Sequence, residues 1–571
     1  MDTDVLIVGA GPTGLMLANQ LARRGVRFRI IDRHAGPALQ TRALGVQART
    51  MEIYANLGIA KRALELGKPG RGANIWARGR RAARVPVGDI GQGLSPYPFL
   101  LILGQDDNER LLGDALRRHG TDVEWNTELV GLTQHADRVI ARLKHADGTV
   151  RETTTRWVGG CDGARSAVRE LNRIEFQGAP YEDVFFVADT VMTGPMVRDE
   201  LNVYLWRKGF HLFFPMRGTD HWRLVGIVPE ELRGRDDLTL DEVMPSIVQE
   251  AGTGLTLRSC SWFSTYRIHH RRAQRFRNGR CFLLGDAAHI HSPVGAQGMN
   301  TGLQDAYNLG WKLALVVSGQ ADARLLDSYE DERIPVAEAL LSTTDRLFSL
   351  VISDNWVTGL FRTRLVPQLL GLAIRLKRIQ KLAFLTISQT GISYRASRLS
   401  ETLPGLPDAA PKSGDRFPWL HLMFSPHAPT QDLYAKLDDT RFTLIVFGQA
   451  SPADGTMGLG DKLRVLSVPD AEENRRELDR VGVPSTAFYL LRPDGYVGLS
   501  GKRLNPRAIE QYAVERLGVA VERVGLTVGD LVSRGKVSET GNSESATLSS
   551  SVLLPENHQP EVLEDLAPRK R

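Results

Sequence analysis

The sequence predicts a mixed α/β (α+β) chain in which a parallel sheet is interrupted by an inserted antiparallel sheet and followed by a further α/β domain. Three observations predict it. A short apolar run, Val5-Leu6-Ile7-Val8, leads directly into Gly9-Ala10-Gly11-Pro12-Thr13-Gly14. A second, Cys281 to Leu284, leads into Gly285-Asp286-Ala287-Ala288-His289 more than 270 residues later. Between them, from about 182 to 276, the hydrophobic pattern changes to strict alternation with aromatic content.

Val5 to Val8 is short, apolar and β-branched, as a strand buried on both faces should be. Gly9 permits a tight turn, Gly11 lets backbone amides approach a pyrophosphate, and Gly14 lets helix and strand pack closely. Leu15, Leu17, Ala18, Leu21 and Ala22 continue at helical spacing towards Gly25, a C-cap residue. A helix opening at about Pro12, with Thr13 in its first turn, aims its positive dipole end at phosphates. Phe28 to Ile31 is the next strand, and Asp32 at its end lies eighteen residues after Gly14, followed by Arg33. A carboxylate there accepts from both hydroxyls of an adenosine ribose and repels a 2′-phosphate, so this Rossmann-like unit favours FAD or NAD over NADP.

Arg42 lies in the segment Thr41 to Gly45, before a helix expected around Arg49 to Leu57. After Pro- and Gly-rich loops, Gln105 opens a helix running to about His119. Val123 to Trp125, Glu128 to Thr133 and Arg138 to Leu143 read as strands, with Asp147-Gly148 as a hairpin turn, and Trp157 to Asp162 as one more strand. In the inserted region, Phe185 to Ala188, Leu201 to Trp206, His211 to Phe214 and Trp222 to Ile227 alternate as strands. Residues 305–350 are strongly helical, and 356–385 predict amphipathic basic helices. Pro404, Pro407 and Pro411 mark a linker, after which Phe442 to Phe447 and Phe488 to Arg492 return to strand character. The expected domains are 1–181 with 277–400, then 182–276 with part of 70–103, then 401–530, then a tail over 531–571 whose Ser-, Glu- and Pro-rich composition predicts disorder.

Bulk properties narrow the function classes. A net charge of +6 over 571 residues, without a basic block in the folded part, argues against nucleic acid as a partner. Cys161, Cys260 and Cys281 are isolated, without metal-ligand spacing, which suits a reducing cytoplasm. The first strand begins near residue 4, leaving no room for a signal peptide, and no apolar run reaches eighteen residues. His289 and His291 lack a third ligand, so no metal is expected.

In the second glycine segment, Asp286 follows a buried strand and is placed to bind ribityl or ribose hydroxyls. Gly295, Gly298 and Gly302 permit close approach of backbone to a flat, bulky ligand. Asn300 and Thr301 are expected to cap a helix starting near Asp305, whose dipole end would stabilise negative charge on a reduced ring.

These segments, with Cys161-Asp162-Gly163-Ala164-Arg165-Ser166, closely resemble the single-component FAD-dependent aromatic hydroxylases, the p-hydroxybenzoate hydroxylase class. Within that class the likeness is nearest to the phenol, 3-(3-hydroxyphenyl)propionate and polyketide hydroxylases. It covers residues 1 to about 350 strongly and 400–520 more loosely. The resemblance implies FAD as cofactor and NADPH or NADH as reductant. It also implies a reaction in which a flavin C4a-hydroperoxide formed from O2 hydroxylates a small aromatic substrate. By position it implies FAD contacts at Gly9, Gly11, Thr13, Gly14, Asp32, Arg33, Arg42, Gln105, the Val130 backbone, Asp162, Asp286, Pro293, Gln297, Gly298, Met299 and Asn300. It further implies that 414–530 is a thioredoxin-like domain lacking the family's ancestral CxxC, structural or dimer-related in role, and it leaves a homodimer open.

The cofactor carries this chemistry, so few acid–base residues are needed and no catalytic base is assigned. The substrate pocket is expected between the inserted sheet and the flavin, with Tyr204, His211, Phe213 and Pro293 as candidates. Alternation places His211 and Phe213 on one face. Two alternatives stay open: a related flavoprotein without hydroxylation (reductase, halogenase or oxidative decarboxylase), and a protein that binds an aromatic compound or confers resistance to it.

Overall fold

The computed structural model describes residues 1–38, 43–206, 209–235, 237–251, 254–291, 297–352, 363–364, 368–369, 376–452 and 459–519. The expectations for Arg42, Pro293, Gly295 and the terminal tail therefore lie outside the described residues, as do most of the basic helices expected over 356–385.

The first sheet has a parallel centre. Thr3–Val8 lies between Phe28–Ile31 and Val150–Gly160, and Cys281–Leu283 pairs parallel with the far side of Val150–Gly160. Val5, Leu6 and Ile7 are fully buried, as an apolar strand covered on both faces requires. The helix Pro12–Ala22 makes the crossover to Phe28–Ile31 and buries Leu15, Leu17, Ala18 and Leu21 on the sheet. The long helix Gly298–Val317 packs beside it. Glu128–Gln134 and Val139–Lys144 add an antiparallel extension to Val150–Gly160.

Two 18-residue strands, Phe176–Thr193 and Thr256–Ala273, lead from this layer into an eight-stranded sheet. Their pairing runs from Phe176↔Ala273, beside the parallel sheet, to Thr193↔Thr256 at the far end, with register shifts that bend the ribbon. His289–Ile290 flanks Thr256–Ala273 at one edge, and beyond Phe176–Thr193 the strands His221–Ile227, Gly209–Pro215, Leu201–Trp206, Ala73–Ala77 and Arg80–Val85 complete the sheet in that order. A third, five-stranded sheet follows, built from Glu401–Thr402, Val497–Gly501, Ala487–Leu491, Phe442–Phe447 and Leu463–Val468. Phe442, Leu444, Val446, Phe488 and Leu490 on one of its faces join the same buried core as Val5 and Leu17.

Three local expectations are corrected. Val123 to Trp125 is not a strand; a single bridge, Ile31↔Glu124, is formed there. The stretch 182–276 is not strands throughout, because Leu240–Ala251 is a helix that buries Leu240, Val243 and Ile247 on the eight-stranded sheet. The helix expected from about Asp305 begins at Gly298, so Asn300 and Thr301 sit inside its first turn. Among the described residues, no helix is long and apolar enough to cross a membrane.

Candidate active site

The two glycine segments meet at Thr13. A β-carbon on Gly285 would stand 2.7 Å from Thr13 Oγ1, and one on Gly302 would collide with the same oxygen. That added β-carbon on Gly302 would also stand 3.1 Å from Gly285 Cα. The first turn of helix Pro12–Ala22, the Gly285–Ala287 turn and the first turn of helix Gly298–Val317 therefore converge on one place. Neither N-cap residue, Gly11 nor Gln297, caps its helix through a side chain, an arrangement that suits an anionic or polar ligand at the helix start.

The nucleotide end is built as a cradle. Gly9 holds φ at +100°, and a β-carbon there, or on Gly14, would collide with neighbouring backbone carbonyl oxygens. A β-carbon on Gly11 would instead meet open space, where a bound group can approach the main chain. Asp32, at the end of Phe28–Ile31, accepts from Ala10 N at 2.7 Å through one oxygen and from His34 N and Nδ1 through the other. These residues fit the pyrophosphate and ribose of FAD. Arg33 beside it is exposed.

Other expected residues lie around this cradle. Gln105 begins helix Gln105–Arg117 and donates through Nε2 to Glu109 at 2.9 Å; Glu109 also accepts from Ala38 N. Burial raises the Glu109 carboxyl above its usual range. Val130 is the residue skipped by the register shift between Leu129 and Gly131, so its backbone leaves the ladder. Asp162 is turned into its own loop, accepting from Ser166 Oγ at 2.5 Å and Val168 N at 3.1 Å, with burial raising its carboxyl. Asp286 is exposed on the Gly285–Ala287 turn. Gln297 precedes the long helix and donates to Thr386 O; Met299 Sδ accepts from Asn108. Asn300 is buried and ties the helix start to the preceding layer, accepting from Gln47 N and Thr50 Oγ1 and donating to Gly45 O.

Three supporting residues escaped sequence reasoning. Arg169 donates to Ala287 O at 3.0 Å and Ala164 O at 2.8 Å, joining the Asp162 loop to the Gly285 turn. Asp305 lies under the same turn: it accepts from Gly285 N at 3.0 Å, His289 Nε2 at 2.8 Å and Arg333 Nε at 2.6 Å. Burial alone would raise the Asp305 carboxyl, but Arg333 and His289 outweigh it and hold it below the usual range. Arg333 also reaches Tyr394 Oη and Thr301 O. Asp305 and Arg333 are 28 residues apart, and no local spacing announces the pair.

The sheet candidates are buried on the face that carries helix Leu240–Ala251. Tyr204 packs edge-on to Phe213 at 5.1 Å and is stacked on Trp76, in the cluster that includes Val243 and Ile247. His211 pairs with Tyr204 across the strands and lies between Trp206 and Phe186, its ring nitrogens unpartnered among the described residues. Burial lowers the His211 pKa to about 3, so the folded chain carries it neutral. Unfolded, it titrates near 6.5; between those values the unfolded chain binds one more proton, so stability is lost as the pH drops, by up to about 1.4 kcal/mol per unit. His211→Phe is expected to flatten that slope in melting temperatures taken from about pH 7 to pH 4. Identical slopes in the two proteins would exclude His211 as its source.

Comparison with known proteins accords with this geometry. The FAD binding domain family matches residues 2–344. The chain is 34% identical over 517 residues to the 6-methylpretetramide 4-monooxygenase of Streptomyces rimosus, covering 87% of this chain and 91% of that relative. It is 33% identical to the pentachlorophenol 4-monooxygenase of Sphingobium chlorophenolicum, over 81% of this chain and 83% of the other. Its fold matches that of aklavinone-11 hydroxylase in a ternary complex with FAD and aklavinone, with a TM-score of 0.73 at 25% identity, covering 90% of this chain and 99% of that one.

Proposed function

Because the chain belongs to the FAD binding domain family and is an FAD-dependent monooxygenase of the aromatic hydroxylase type, we propose that it inserts one atom of O2 into an aromatic ring. NADPH or NADH is oxidised and the second oxygen atom leaves as water. Bound FAD supplies the redox and oxygen chemistry. The residues of the chain hold it, exclude water and orient the substrate. The observation that carries the reading is the convergence on Thr13 of two uncapped helix starts and the Gly285 turn.

In this reading, the Gly9–Gly14 backbone and the Pro12 helix start hold the pyrophosphate, and Asp32 takes the adenosine ribose, with Gln105 and the Val130 backbone nearby. Asp286 binds the ribityl chain, and the amides of Gly298, Met299 and Asn300 face the ring system, where the helix dipole favours negative charge on the reduced flavin. The C-terminal sheet, with helices Glu472–Val481 and Pro506–Glu515, is assigned as thioredoxin-like. It contains no cysteine, so its role is structural rather than redox. The protein is assigned to the cytoplasm, acting alone or as a homodimer.

The direct test supplies 18O2 and NAD(P)H to the purified flavoprotein with a panel of phenols and polycyclic aromatics. Substrate-stimulated NAD(P)H oxidation with label in the product is expected; stimulated oxidation that never labels a product would leave a reductase instead. Asp286→Ala is expected to weaken FAD retention by about 10- to 100-fold, the range for losing a hydrogen bond to a charged group. The readout is flavin absorbance after gel filtration, and a fully flavinylated, active variant would refute the assignment.

A further inference from the structure

A cleft of about 410 Å³ opens between helices Ser328–Ile352 and Lys377–Ile387. Gln297, the residue before the Gly298–Val317 helix, is part of its lining, which places the cleft beside the proposed flavin ring site. Val336, Leu340, Leu385 and Ile392 make up much of its wall. Every described residue lining it is uncharged. Gln389 spends both ends of its amide on Thr301 and Gln304, and Thr386 Oγ1 donates to Leu382 O, leaving Gln297 and Ser393 as the other polar side chains in the described lining. Leu382 lines the cleft while 66% exposed, so it stands at the opening.

We propose that this cleft receives the ring system of a neutral, multi-ring aromatic substrate, and that Leu385 limits its size. The inference rests on the reading of the chain as an aromatic monooxygenase. Size is the first argument: a cavity of about 150 Å³ accommodates one benzene, so this cleft has room for two or three fused rings. Charge is the second. A carboxylate on the ring would lose its hydration with no cation among the described residues of the wall to replace it. Lys377, Arg378 and Lys381 belong to the same helix, but none lines the cleft. A substrate phenol can donate to the Gln297 carbonyl oxygen.

The test uses the FAD-loaded enzyme, titrated with phenol, 1-naphthol, 1-hydroxyanthraquinone and 1-hydroxy-2-naphthoate, binding being read from the flavin absorbance. Affinity is expected to rise with ring number, and the carboxylate should bind at least about 10-fold more weakly than 1-naphthol. Leu385→Trp, which fills the cleft, should weaken the three-ring probe by about 10-fold with FAD still bound. Leu382→Arg, at an exposed position that tolerates change, should tighten the carboxylate by a similar factor by supplying the missing cation. Equal binding of carboxylate and naphthol, no binding of the three-ring probe, or indifference to both substitutions would overturn the proposal. Labelled product from probes that ignore both substitutions would leave the monooxygenase reading standing and the cleft assignment refuted. Cleft-dependent binding without labelled product would do the reverse.

Discussion

Replacing Arg492 by methionine is expected to cost about 3–5 kcal/mol of stability, the range for breaking a buried ion pair on one side. Arg492 is fully buried where the turn after Ala487–Leu491 enters the layer of helices behind the first sheet. It donates to both oxygens of Glu332, at 2.6 and 3.0 Å, and to Asp494 at 2.5 Å. Glu332 is shared with Lys312 at 2.8 Å and Asn308 at 2.6 Å, and Asp494 accepts from Trp311 Nε1 at 3.0 Å. Burial alone would raise the Glu332 carboxyl, but Arg492 and Lys312 hold it well below the usual range. Methionine matches the length of the arginine stem without the charge, leaving Asp494 and part of Glu332 unpaired in the core. The denaturant midpoint reads the loss. Arg492→Met/Asp494→Asn should recover part of it, because it removes the stranded carboxylate while Glu332 keeps Lys312 as its partner. A change below about 1 kcal/mol in the single variant would show that water reaches the network.

Asp305→Ala is expected to weaken FAD binding by about 10- to 100-fold, as the loss of charge-assisted hydrogen bonds worth 1.5–3 kcal/mol would. The carboxylate is the common acceptor for the Gly285 amide, His289 and Arg333. Without it, Arg333 is left as a buried charge and the Gly285 turn loses its link to the helix that starts at Gly298. Titration of the apoprotein with FAD, followed by quenching of flavin fluorescence, measures the effect. Asp305→Asn keeps one acceptor oxygen and should fall between the two. Alanine binding FAD as tightly as the parent would show that the turn is held by Arg169 and Thr13 alone.

These two sites also mark where sequence reasoning stops. The Gly9–Gly14 turn, the Phe28–Ile31 strand, Asp32 at its end and the helix from Pro12 follow from short-range rules, because each depends on neighbours within one βαβ unit. Phe442–Phe447 was equally legible as a short run of aromatic, aliphatic and β-branched residues. The helix Leu240–Ala251 was hidden by Pro245 within it and by the strands on either side. The start at Gly298 was hidden because glycine is a poor helix former and the turn is held instead by Asn300, whose partners lie about 250 residues earlier.

The local order of residues was enough to single out two glycine segments and the Gly9–Gly14 nucleotide-binding signature, since a tight glycine turn, a buried strand and a carboxylate at its end leave a pattern within some thirty residues. That the two segments come together was decided in three dimensions, where Gly285 and Gly302 have no side chain to keep Thr13 away. The same holds for the acceptor beneath the turn and the arginine that anchors the C-terminal sheet. Asp305 meets Arg333, and Glu332 meets Arg492, across 28 and 160 residues. A buried charge needs a partner but does not encode which one, so only the packing of the layers names it.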